Sequence, residues 1–165
     1  MSRLDGILDR IRFARRYTLW HLNSVPEADW FRMPTEGVTH IAYQAGHIAH
    51  AQYRLCLARA RGERPTDADV IPPTYRELFG RNPPSPDPAV YPTPAEIRAA
   101  MDRVYAQVLF ELPMFAALDL DEVVPPEHRY CKTRGEFLDW CPAHELIHTG
   151  QIALLRRLLG HKPLW

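Results

Sequence analysis

His144 and His148 stand four residues apart in the run His-Glu-Leu-Ile-His, which continues into Thr149-Gly150-Gln151. Two imidazoles one helical turn apart leave the helix on the same side and can bring their ring nitrogens to one point. Taking about 100° per residue from His144, Phe137 and Leu155 fall near about 20°, His148 near about 40°, and Cys141 and Leu159 near about 60°. Both histidines therefore occupy the middle of an otherwise apolar stripe, where a packed helix wants leucine. A buried polar group left without a partner costs on the order of 1–3 kcal/mol. A divalent ion removes that cost for both rings at once, so the pair reads as two ligands of one metal. The competing reading is a pair of core histidines bonded to carbonyls, water or each other.

A third ligand should come from a neighbouring helix. His40, His47 and His50 lie together upstream, beside a stripe of Ile41, Ala45, Ile48 and Leu55. From the stripe centre, His47 is about 90° away, His50 about 150° and His40 about 70°. His47 can turn inward from the edge of the stripe, His50 points largely to solvent, and His40 sits almost two turns earlier. Residues 144–148 also fit the H-E-x-x-H pattern of zinc peptidases, with Glu145 as general base. Downstream, however, the positions of a metzincin extension hold Gln151 and Leu154, and no Asp or Glu follows Glu145. A peptidase is therefore disfavoured.

The elements that must position these residues read as four long helices. The first covers Ser2 to Leu22, with Leu4, Ile7, Leu8, Ile11 and Ala14 at three-four spacing. The second covers Gly37 to Arg61, its stripe interrupted by Gln52, which puts a polar group toward the core. The third opens at the capping box Thr93-Pro94-Ala95-Glu96, carries Ile97, Met101, Val104, Val108 and Leu112 inward, and is kinked or ended by Pro113. The fourth opens at the capping box Thr133-Arg134-Gly135-Glu136 and runs to Leu159, with Gly160 as its stop. No stretch alternates with period two. The expected fold is all-α, a four-helix bundle in one domain spanning residues 1–165. Between helices two and three, Pro65 to Pro92 is dense in proline, with one possible helical turn at Tyr75 to Phe79; a connection this long is expected to be a functional lid or a partly mobile crossover.

Composition narrows the function further. Lys plus Arg and Asp plus Glu both total 20, so net charge is zero, which argues against a nucleic-acid binder. Three cysteines, Cys56, Cys131 and Cys141, without a CxxC pair fit a reducing cytoplasm rather than a disulfide framework. Neither a signal peptide nor a membrane span is expected. Apolar residues left over on helices one and three, with Trp20 and Trp30 nearby, suit a homodimer face.

Ala45-Gly46-His47-Ile48-Ala49 in helix two, with His144-Glu145-Leu146-Ile147-His148-Thr149-Gly150-Gln151-Ile152 in helix four, resembles the DinB superfamily, also called DinB/YfiT-like. The likeness extends over nearly the whole chain, including helix order and the long central connection. It implies a four-helix bundle holding a metal, zinc or nickel, on three histidines with water completing the shell; by position the ligands are His47, His144 and His148. It also implies either thiol chemistry with a low-molecular-weight thiol or metal-dependent hydrolysis of a small-molecule substrate. Glu145 and Gln151 neighbour the ligands and are candidates for positioning water or supporting the ligands. Pro142 and Cys141 depart mildly from the family pattern, Cys141 as a possible soft ligand. The alternatives are a non-catalytic bundle stabilised by its metal and acting in a stress response, and a metal-free interaction module.

Overall fold

The structure is a computed structural model that describes residues 2–80, 82–126 and 128–164. It is all-helical, with one isolated bridge between Val123 and Thr133 and no strand among the described residues. In chain order the α-helices are α1 (Arg3–Leu22), α2 (Ile41–Tyr53), α3 (Arg59–Arg61), α4 (Asp67–Val70), α5 (Tyr75–Leu78), α6 (Pro94–Glu111) and α7 (Arg134–Leu158). A π-helical stretch, Arg54–Ala58, joins α2 to α3 in one continuous rod. α1 packs on α7, and α2 packs on both α6 and α7.

Local sequence accounts for most of the boundaries. Ser2, Thr93 and Thr133 each accept a hydrogen bond from the backbone three residues on and receive the reciprocal carboxylate, completing three capping boxes. α6 stops at Glu111, and Pro113 lies in the 3-10 turn Leu112–Ala117 that follows. α7 ends ahead of Gly160, whose φ of 92° is the left-handed conformation that glycine adopts freely. The second helix starts later than Gly37. His40 is its N-cap, accepting from Tyr43 N–H on Nδ1 at 3.0 Å, and Gly37, at φ 76°, belongs to the turn before it.

The centre of the molecule is polar, and the polar group expected at Gln52 is part of a larger network. The Arg15 guanidinium, 1% exposed, donates to Glu145 Oε1 at 2.8 Å, to Gln52 Oε1 at 2.8 Å and to the Met101 carbonyl at 2.9 Å. One side chain of α1 thereby ties α2, α6 and α7 together. Thr18 and Thr149 meet at 2.7 Å one turn further along. Around this network pack the apolar stripes, Ile7, Ile11, Ile48, Ile97, Val104, Phe137 and Ile152 being fully buried.

The proline-rich connection is packed, not loose. Ile71, Tyr75 and Phe79 join the main core, and α5 supplies the helical turn foreseen at Tyr75. Asp67 accepts from Arg61, Tyr53 and the Arg64 backbone, and Arg61 also bridges to Glu111 on α6. Ile71, Tyr75 and Phe79 of the connection thus find buried seats, Tyr75 on α5 packing against α2. Trp30 is likewise removed from any dimer face: it is wholly buried, with Arg98 over its ring, whereas Trp20 stays 45% exposed.

Candidate metal centre

α2 and α7 bring His47, His144 and His148 together at their contact. One ring nitrogen from each lies within 4.8 Å of the others, and all three side chains are half-buried. The inward face of α7 is broader than the wheel suggested. Glu145, Thr149 and Ile152 lie deepest, so His144 and His148 stand at the edge of the buried face and not in its middle. That edge position leaves the pair reachable from outside.

The rings are oriented by acceptors. His47 Nδ1 donates to the Phe79 carbonyl at 2.7 Å, which leaves Nε2 with its lone pair. His148 Nδ1 donates to Gln44 Oε1 at 2.6 Å. The Gln44 amide nitrogen in turn donates to Thr39 Oγ1 at 3.1 Å, which fixes the oxygen toward His148. His148 Nε2 and His144 Nε2 then face each other at 3.3 Å. Two nitrogens on a tetrahedral zinc, each bound at about 2.0–2.1 Å, sit about 3.3–3.4 Å apart. The pair thus already has the spacing of two ligands to one ion.

Electrostatics agree with this donor role. Burial pushes His144 down to about 4 and His148 down to about 3, and neighbouring imidazoles push the same way. Burial also lowers His47, against the opposing pull of the Phe79 and Gly80 carbonyls. All three are neutral at pH 7, the form in which imidazole binds metal. Three neutral nitrogen donors fit a divalent cation and leave its charge uncompensated.

Glu145, Gln151 and Cys141 separate from this group. Glu145 is buried against Arg15, away from the imidazoles. Gln151 lies exposed on α7 and makes no hydrogen bond to the three histidines among the described residues. Cys141 lies buried beside Cys56, which together with burial raises its thiol well above the usual range; it does not join the histidine group. Tyr17 packs with Phe13, Trp20 and His21 on α1. Tyr43 lies near-parallel to His47, rings 6.1 Å apart, and its hydroxyl donates to the Asn82 carbonyl at 2.8 Å. His50 is only 5% exposed, correcting its expected solvent position, because the central connection folds over that side of α2.

Sequence reasoning missed Gln44, the Phe79 carbonyl, His128 and Trp140. Gln44 did leave a signal: it lies one turn before His47, on the same side of the helix. His128 and Trp140 line, with His47, His144 and Phe137, a cavity of about 110 Å³ beside the cluster.

The chain is all-helical and gathers three histidines from two packed helices into a group that could hold a metal ion. The family model of the DinB superfamily matches residues 10–152, and the chain belongs to that superfamily. No curated protein and no solved structure matches it. No helix among the described residues is long and apolar enough to cross a membrane.

Proposed function

We propose that His47, His144 and His148 hold one divalent ion, zinc or nickel, in a DinB-type four-helix bundle, and that the protein is a metal-dependent enzyme of thiol S-transferase or hydrolase type. The observation that carries this reading is the 3.3 Å approach of the His144 and His148 Nε2 atoms, with His148 and His47 each donating through Nδ1 to an oxygen. A bound ion supplies a Lewis acid that eases deprotonation of a water or an external thiol. The chain's own residues do the rest. Gln44 and the Phe79 carbonyl set the imidazole planes. Phe137 and Trp140 restrict water on the cavity side. Glu145, through Arg15, is a positioning residue that fixes the rotation of α7 and hence the aim of His144. Support for a catalytic rather than a structural ion comes from the donor count, since structural zinc sites take four protein ligands and the group here has three.

The test is elemental analysis of tag-free protein after reconstitution with zinc or nickel. Near one ion per chain is expected, with most of it lost in His47→Ala, His144→Ala and His148→Ala and retained in His50→Ala. Metal held undiminished by His144→Ala, or none in the wild type, overturns the reading. The loaded wild type is then assayed for thiol transfer and ester hydrolysis, both expected to vanish on chelation.

A further inference from the structure

The small cavity beside the histidine cluster is not isolated. His50, Arg54 and Arg59 line it and also line a second cavity of about 560 Å³ under the central connection. The two spaces therefore share part of their walls along one stretch of the α2 rod. Arg54 opens the π-helical stretch and Arg59 follows it directly. Such extra-residue turns recur at functional sites because they re-aim side chains within an otherwise regular helix.

Arg64 and Arg76 also line the larger cavity, so that among the described residues four arginines stand there with the carboxylates of Glu63 and Asp67, Arg64 also lying 3.4 Å from Glu111. Asp67 is already satisfied: Arg61 donates to it at 2.7 and 2.9 Å and the Tyr53 hydroxyl at 3.0 Å. Arg59 is held rigidly, its Nη1 donating to the Pro126 carbonyl at 2.7 Å and its guanidinium lying 4.6 Å from the Phe137 ring centre. Phe137 in turn lines the cavity beside the histidines. Arg76 enters no ion pair with any described residue. The buried His50 Nε2 has no hydrogen-bond partner among the described residues. A recess of this size walled by guanidinium forks is suited to oxyanions, which arginine binds in bidentate fashion and which a cleft of one sign attracts.

We propose that this arginine-lined cavity is the subsite for the anionic end of the substrate, so that the three-histidine site acts on a small molecule carrying a carboxylate or phosphate at a distance from its reacting atom. The proposal rests on the metal reading for the reacting end, while the cavity and its charge stand without it.

The test uses the full zinc-loaded chain and two probes with the same metal-binding head, succinic monohydroxamate and its neutral amide counterpart. Calorimetry is expected to show the anionic probe binding about tenfold more tightly. That preference is expected to collapse in Arg76→Glu and in Arg59→Ala, to survive in part in Arg76→Lys, and zinc content is expected to stay constant. In parallel, succinate and inorganic phosphate are added to metal-free wild type and Arg76→Glu while Tm is followed. A rise in Tm in the wild type that Arg76→Glu loses supports the subsite, and whichever anion produces it identifies the group bound. Equal affinity for both hydroxamates, or a preference untouched by Arg76→Glu, overturns the proposal and leaves the metal reading standing. Failure of both hydroxamates to bind, with an arginine-dependent response to succinate or phosphate, overturns the metal reading and supports the subsite.

Discussion

At the scale of single residues, the site depends as much on what the imidazoles donate to as on what they would bind. His148 offers Nε2 because its Nδ1–H is taken by Gln44, and Gln44 is held by Thr39. Replacing Gln44 by leucine keeps a side chain of similar size and removes the acceptor. Loss of such an outer partner costs about 10–100-fold in metal affinity. We expect that loss for Gln44→Leu by competition with a chelator, with Tm of the metal-free protein lowered only slightly. Unchanged affinity would mean that His148 is oriented by packing alone. The histidine pair was legible because its spacing is local, four residues on one helix. Gln44 was not, because its partner lies 104 residues away and only the packing of α2 on α7 brings them together. The polar centre was half legible for a similar reason. Gln52 announced a polar group inside, but nothing local marks Arg15, 37 residues away on another helix, as its partner.

At the scale of elements, helix starts were readable where a serine or threonine side chain caps its own helix, as at Ser2, Thr93 and Thr133. The second helix was drawn too long because a histidine cap gives no standard signal. The connection reads as a functional lid or a partly mobile crossover because prolines forbid helix, and prolines also stiffen a path that a few buried aromatics can pin. Phe79 is that pin, and Gly46 makes its seat. A Cβ built on Gly46 would lie 2.4 Å from the Phe79 ring, and the neighbouring His47 bonds the Phe79 carbonyl. Gly46→Ala should therefore destabilise by about 1–3 kcal/mol, the usual cost of overpacking. It should also weaken metal binding by displacing the His47 acceptor. Gly150, on α7, is the control, because nothing lies within 4 Å of a Cβ built there. Gly150→Ala should be neutral or stabilise by up to about 1 kcal/mol through helix propensity. Thermal melts of the two variants provide the check: equal effects would show that the approach of Phe79 places no demand on Gly46.

At the scale of the whole molecule, the histidines make folding itself sensitive to acid. His40, His50 and His144 are pushed down to about 4 and His148 to about 3, in each case chiefly by burial. In the unfolded chain a histidine takes up its proton near pH ~6.5. Between there and about pH 4 the unfolded state binds more protons than the folded one, so stability must fall as pH falls. Above about pH 6.5 both states are neutral at these positions and the dependence disappears. Each histidine adds a slope approaching about 1.4 kcal/mol per pH unit inside that window. Below it, Asp67 and Glu111 take over: burial opposes their ionisation, but Arg61 and their other partners win and hold both below the ordinary carboxylate range. Protonating them at still lower pH breaks the ion pairs that tie the central connection to α6. Urea unfolding of metal-free protein at pH 7.5, 6.5, 5.5 and 4.5 should therefore show a flat region followed by a steep decline. Metal-loaded protein should decline more steeply over the same window, because protons compete with the ion for the imidazoles that unfolding releases. A flat profile down to pH 4.5 in the metal-free protein would show that these imidazoles are not buried in solution, and the packing of the central connection over α2 would have to be abandoned with them.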